Sequence, residues 1–182
     1  MSKVAVFIDC QVGFTTGSLR NESAIECLPY LEDEVGWLRQ SGYKLVFTED
    51  THPASEEEYK KTLEGQSIPY HCGDGSADQQ VVEPLRLKLY DAGGWCVRKE
   101  TFGARDLVAY LQKLNLEEPI EEIRFYGFVT EICVISNVLL VKAFLPNVRI
   151  VVDALGTAGL SAEGHRAALA VMKSCLVEVV NE

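Results

Sequence analysis

A three-layer α/β domain is the fold this sequence predicts, a doubly wound and mostly parallel sheet of about six strands with helices on both faces. Three observations predict it. Short β-prone runs recur along the 182 residues and end at polar positions, as residues 4–8 (VAVFI) end at Asp9. Longer segments of helical spacing separate these runs, and strands alternating with helices imply a parallel sheet. The first run is apolar at every position, which suits a strand buried on both faces. No repeat or linker interrupts the pattern, so residues 1–182 read as a single domain.

Taken in order, residues 4–8 are the first strand and residues 11–21 a loop broken by Gly13 and Gly17. Residues 28–41 read as a helix, with Pro29 in its first turn and Gly42 as its stop. Residues 43–48 make a second strand ending at Glu49 and Asp50. Residues 51–76 are polar and turn-rich, and a loop of that length in a compact domain usually serves function. Residues 77–90 read as a helix that Pro84 weakens. Gly93 and Gly94 lead into a third strand, residues 95–98, ending at Lys99. Residues 107–114 are apolar at helical spacing, and residues 123–126 form a fourth strand. A helix carrying Cys133 in its first turn follows, with Gly127 as the turn and Thr130 as the cap. A fifth strand (148–152) ends at Asp153, and a helix (162–173) and a last strand (176–180) complete the chain.

A hydrophobic fraction of 47% with 24% charge is ordinary for a soluble globular protein. The net charge of −10 argues against nucleic acid or an anionic membrane as partner. The longest uncharged apolar run, residues 132–141, is too short to span a bilayer. Six cysteines lie at irregular spacings without a C-x-x-C pair, and no secretory apolar region precedes the first strand. A reduced, cytoplasmic setting is expected.

Ligands of a parallel sheet gather beyond the carboxyl ends of its strands. Asp9, Asp50, Lys99 and Cys133 all fall at such ends. Singly, each has an ordinary explanation: a loop cap, a turn residue, a solvated cation, a small core residue. Placed together they complement one another. A carboxylate with a raised pKa can serve as base for a thiol, and a lysine can hold both charges. A helix start would favour the thiolate, and backbone N–H groups there could hold an oxyanion. Asp9, Lys99 and Cys133 would then form an acyl-transfer site. Asp50, His52 and His71 are a plausible set of metal ligands, since two imidazoles and a carboxylate leave coordination positions open. Cys10 and Cys72 are expected to border the pocket, Cys27, Cys96 and Cys175 to pack, and His165 to be a structural side chain at a helix start.

Five segments, in this order, carry a family resemblance: Phe7-Ile8-Asp9-x-Gln11, Thr48-x-Asp50-x-His52-Pro53, His71-Cys72-x-x-Gly75, Arg98-Lys99, and Gly127-x-x-Thr130-Glu131-x-Cys133-Val134. Asp153-Ala154 adds to them. Over nearly its whole length the chain resembles the isochorismatase-like cysteine hydrolases, and among them the nicotinamidases. The resemblance implies a catalytic triad of Asp9, Lys99 and Cys133. It implies a divalent metal on Asp50, His52 and His71, Zn²⁺ first among Zn²⁺, Fe²⁺ and Mn²⁺. It also implies a cis peptide at Phe128–Val129, which the family uses to aim the N–H groups of Val129 and Cys133 at an oxyanion. The expected activity is release of ammonia from a small carboxamide, nicotinamide to nicotinate, in pyridine nucleotide metabolism. The metal would anchor a pyridine nitrogen. The alternatives are hydrolysis of another small amide or an ether, or ligand binding without catalysis.

Two departures from the family pattern bear on the substrate. Cys10 stands where the family more often has a larger residue, and Glu100-Thr101-Phe102-Gly103 follows Lys99 in place of a longer aromatic segment. Phe14, Phe102 and Phe128 are the expected pocket walls. The helix after Cys133 is apolar almost all round, so a homo-oligomer through that helix is expected.

Overall fold

In the computed structural model, which describes residues 1–182, the six β-prone runs become β1 (Ser2–Ile8), β2 (Tyr43–Asp50), β3 (Trp95–Lys99), β4 (Ile120–Phe128), β5 (Arg149–Ala158) and β6 (Glu178–Val180). They form one sheet in the order β3-β2-β1-β4-β5-β6, and every neighbouring pair is parallel. The chain builds outward from β1 in one direction, then returns to β4 and builds outward in the other. That reversal opens a crevice between the carboxyl ends of β1 and β4, the place where doubly wound sheets bind ligands.

The helices are α1 (Glu22–Gln40), α2 (Glu56–Tyr59), α3 (Leu85–Asp91), α4 (Arg105–Glu117), α5 (Ile135–Phe144) and α6 (Ala162–Ser174). Alternation along β1 sends Val4, Val6 and Ile8 to one face and Ala5 and Phe7 to the other. The first face packs on α4, α5 and α6 through Leu107, Leu111, Val138, Val141, Leu169 and Met172. The second packs on α1 and α3 through Leu31, Val35, Leu38, Leu85 and Leu89. Two apolar layers on one sheet explain why residues 4–8 of β1 are apolar at every position. The three-layer α/β architecture is as the sequence predicts, and the sheet is parallel throughout rather than mostly so.

Several boundaries differ, each for a local reason. Helix α1 begins six residues earlier than the 28 expected, at Glu22, because Asn21 caps it by accepting from Ser23 N and Ala24 N. Pro29 therefore lies inside the helix, not in its first turn. The helix expected over 77–90 is only Leu85–Asp91, starting directly after Pro84, which has a cis bond to Glu83. The preceding segment is diverted into pairing with the loop after β1, with Val82 N donating to Cys10 O and Val12 N to Gln80 O. Within the loop 51–76, α2 is a single turn. Strand β5 runs past Asp153 to Ala158, its register against β4 shifting between Phe125 and Gly127.

Gly127 lies inside β4 rather than in a turn. Its φ is +112°, and a Cβ there would sit 2.1 Å from Ile8 O. Only glycine lets β4 approach β1 this closely at the crevice. After β4 the chain makes a π-helical turn, Thr130–Val134, before α5, so Cys133 sits in that turn rather than in the first turn of a regular α-helix. Thr130 does not cap a helix; its hydroxyl pairs with His165 Nδ1 at 2.8 Å.

Candidate active site

The carboxyl ends of β1, β2, β3 and β4 bring Asp9, Asp50, Lys99 and Cys133 together. Lys99 Nζ lies 2.8 Å from Asp9 Oδ2, 3.0 Å from Asp50 Oδ1 and 3.6 Å from Cys133 Sγ. All four residues are buried. One ammonium between two carboxylates and a thiol is an arrangement that buried charges require, since an unpaired one is strongly disfavoured.

Asp9 is held in an uncommon backbone conformation, φ +48°, in the left-handed region. Residues of this kind cost about 1–3 kcal/mol and cluster at functional sites. Thr48 locks it from β2: its hydroxyl donates to Asp9 Oδ1 at 2.6 Å and accepts from Asp9 N at 3.0 Å. Asp50 is fixed by Gln11, whose amide donates to Asp50 O at 2.9 Å and accepts from Asp50 N at 2.8 Å.

Burial pushes the Asp9 carboxyl above its usual range, against the opposing pull of Lys99. Burial also pushes the Cys133 thiol well above an ordinary cysteine, and Lys99 only partly offsets it while Asp9 and Asp50 add to it. A helix start favours a thiolate, but burial beside two carboxylates outweighs that help, in keeping with the expected need of Cys133 for a base. Burial opposes the charge of Lys99, yet Asp9, Cys133 and Asp50 together hold the ammonium protonated. Asp50, buried as deeply, is nonetheless held well below the usual range by Lys99, His52 and His71.

The second oxygen of Asp50 faces the loop. Asp50 Oδ2 lies 3.1 Å from His52 Nε2 and 3.3 Å from His71 Nε2, and the two imidazole nitrogens are 3.3 Å apart. Glu64 joins them, with Oε1 3.4 Å from His52 Nε2. One atom from each of Asp50, His52, Glu64 and His71 falls within 4.8 Å of the others. His71 Nδ1 lies 2.8 Å from Pro69 O, so it carries the proton there and turns the Nε2 lone pair inward. Burial would lower the pKa of His52, but Asp50 and Glu64 push it up to about 9. Two carboxylates and two inward imidazoles form a donor set that fits a divalent cation. Glu64 was not singled out in the sequence. It stands among many acidic loop residues, and only the fold brings it to the histidines.

An apolar cavity of about 330 Å³ opens beside Cys133. Phe14, Leu19, Ile68, Phe102, Ile132 and Leu160 are among its apolar lining, and Asp50, Glu64 and His71 line it as well. Phe14 packs edge-on against His71 at 5.4 Å between ring centroids. Phe128 is not in this wall. Its ring is fully buried in the α1/α3 core, because it shares the face of β4 that carries Tyr126. Cys10 and Cys72 are also buried away from the cavity, and Cys175, expected to pack, is exposed. All six cysteines are free. The Phe128–Val129 peptide is cis, and Val129 N–H and Cys133 N–H belong to the turn that carries the thiol.

Asn137 is a further residue that sequence reasoning missed. Fully buried in α5, it donates to Cys133 O at 2.8 Å and Phe102 O at 2.9 Å and accepts from Ala104 N at 2.8 Å. It ties the turn bearing Cys133 to the segment bearing Phe102. A polar residue among the buried positions of a largely apolar helix was the available signal.

Several solved structures share this architecture. The nicotinamidase/pyrazinamidase of Bacillus subtilis superposes with a TM-score of 0.85 at 23% identity, covering 100% of both chains. The pyrazinamidase of Pyrococcus horikoshii, solved in complex with zinc, gives 0.82 at 20% identity, again over 100% of both. The N-carbamoylsarcosine amidase of Thermoplasma acidophilum gives 0.78 at 19% identity, covering 98% of this chain and 95% of its own. No curated protein sequence matches the chain. The isochorismatase domain, however, matches residues 3–182, and the chain belongs to that family of isochorismatase-like hydrolases.

Proposed function

We propose that the protein, as one domain over residues 1–182, is a cysteine amidase that releases ammonia from a small carboxamide, nicotinamide first among the candidates. The observation that carries this reading is the Asp9–Lys99–Cys133 cluster, with Lys99 Nζ 2.8 Å from the carboxylate and 3.6 Å from the thiol, beside an apolar cavity of about 330 Å³. That volume suits a single-ring acyl group.

Asp9 takes the Cys133 proton, and the thiolate attacks the carboxamide carbon. The oxyanion is received by the N–H groups of Val129 and Cys133. The tetrahedral species collapses to a thioester as Asp9 returns its proton to the departing ammonia. Water, deprotonated by Asp9, then hydrolyses the thioester and restores the thiol, so amide and water become acid and ammonia. Lys99 stays protonated and balances whichever of Asp9 and Cys133 carries the charge. Asp50, His52, Glu64 and His71 would hold a divalent metal, with Zn²⁺ the first choice. When bound, it supplies a Lewis acid that can anchor a lone pair of the substrate, such as a ring nitrogen. Phe14 and Phe102 flank the acyl group.

Free cysteines suit a reducing compartment, and no helix is long and apolar enough to cross a membrane, so we assign the protein to the cytoplasm. Helix α5 leaves Ile135, Leu139 and Leu140 only half-buried and Phe144 exposed, a face that suits a second copy of the chain.

The deciding experiment is ammonia release from a panel of carboxamides, before and after chelation and after metal readdition. Turnover of nicotinamide that chelation suppresses supports the reading. Turnover of a different amide alone moves the substrate assignment. Binding without turnover of any member would make the chain a ligand-binding relative. The replacement of the longer aromatic segment by Glu100-Thr101-Phe102-Gly103 is the specific reason to include other amides.

A further inference from the structure

Leu160 is a large apolar side chain left 64% exposed, yet it lines the cavity that contains Cys133. It sits in the short connection between β5 and α6, where little holds a loop in place by its own packing. Its support comes from the nucleophile's turn. Glu131, two residues before Cys133, accepts the Leu160 N–H on Oε1 at 2.9 Å. The carboxylate lies in a cradle made by two glycines. A Cβ on Gly164 would fall 2.4 Å from Oε1, and one on Gly159 would fall 2.7 Å from Oε2. The adjacent Thr130 pairs with His165 at 2.8 Å, at the start of α6. On the other side Asn21 Nδ2 donates to Gly159 O at 3.0 Å, tying the connection to the loop that bears Phe14 and Leu19. The carboxylate also faces the N-terminal turn of α6, where negative charge is favoured.

We propose that Glu131 is a positioning residue that holds Leu160 over the mouth of the acyl pocket, and that Leu160 sets the size of acyl group the site accepts. The proposal rests on the amidase reading for its kinetic part, but the restraint on Leu160 is independent of turnover. Leu160 projects from a connection rather than from the sheet, so its place depends on the hydrogen bond to its own N–H. Removing the carboxylate frees the connection, whereas an amide in its place still offers an oxygen to Leu160 N–H.

The test compares L160A, E131A and E131Q by steady-state kinetics on the best carboxamide of the panel and by amide hydrogen exchange of residues 159–164. L160A, which truncates an exposed side chain, is expected to raise KM about ten-fold for the small amide with little change in kcat, and to improve bulkier carboxamides relative to it. E131A should reproduce that KM effect and accelerate exchange at the Leu160 amide, while E131Q should restore both. Unchanged Leu160 exchange in E131A overturns the positioning role. Unchanged KM and size preference in L160A overturns the specificity role. Equal loss of kcat in E131A and E131Q would assign Glu131 to catalysis and overturn the proposal as stated. If wild-type protein turns over no carboxamide, the amidase reading falls, and the exchange comparison still decides whether Glu131 restrains Leu160.

Discussion

The Asp9–Lys99–Cys133 cluster and the candidate metal cluster meet at Asp50, which touches Lys99 with one oxygen and the histidines with the other, but the two are built differently. Lys99 ends β3, Asp9 follows β1 and Cys133 lies in the turn directly after β4, all in one parallel sheet, so the sheet itself sets their spacing. His52, Glu64 and His71 come from an irregular stretch whose own regular structure is one helical turn. That stretch is positioned by single hydrogen bonds, such as His52 N to Cys72 O at 3.0 Å and Asp74 N to His52 O at 2.9 Å. Tyr59, fully buried, packs against both histidine rings at centroid distances of 4.7 and 5.7 Å. The proposed triad is held by the strand ends, whereas the candidate ion site is closed by a loop around the Asp50 carboxylate.

The largest effect should come from the strand-borne half. C133A is expected to lower amide turnover by a factor on the order of 10⁴ or more, measured as ammonia release, because no other thiol faces the cavity. Full activity in that variant would be incompatible with the mechanism. D9N should cost about 10²–10⁴-fold in kcat/KM. It should also abolish the acid limb of the pH profile. The sign follows from burial: the Asp9 pKa is raised above its ordinary 3.8, the base works ionised, and activity falls as pH drops through the raised value. The same burial predicts that iodoacetamide labelling of Cys133 keeps increasing with pH beyond 9, because the thiol lies well above that value. A plateau near neutrality would show a resting thiolate.

The loop-borne half should respond differently. E64Q is expected to weaken metal binding about 10–100-fold, read by titration of the metal against a chromogenic chelator, without changing the labelling rate of Cys133. If E64Q binds metal as wild type does, Glu64 is not part of the set and the three-residue cluster suffices. The smallest effect is expected where the strand frame meets the cavity. N137A leaves Ala104 N–H and Cys133 C=O without this partner and should destabilise the fold by about 1–3 kcal/mol in a denaturant titration. It should also raise KM through Phe102. A rise in KM without loss of stability would make Asn137 purely a positioning residue.

Local pattern made much of this legible. Apolar runs that stop at Asp9, Asp50 and Lys99 locate strand ends, and strand ends of a parallel sheet converge on one edge. Helix boundaries were less legible where tertiary contacts override propensity. Asn21 caps α1 early enough to leave Pro29 inside it, and pairing with the loop after β1 takes residues 80–82 away from α3. Phe128 illustrates the limit of reading a side chain's role from its position next to a motif, since the parity of β4 turns its ring into the core.

By itself, then, the sequence determined the layers and the strand ends that carry Asp9, Asp50 and Lys99, because hydrophobic period is a local property of the chain, whereas His52 and His71 stood out only as two histidines in one long polar loop. Only the tertiary structure decided that Glu64 joins the histidines, that Leu19, Ile68 and Leu160 wall the cavity, and that Cys133 rests as a buried thiol. Each depends on groups far apart in sequence meeting in a low-dielectric interior, and no spacing along the chain encodes such a meeting.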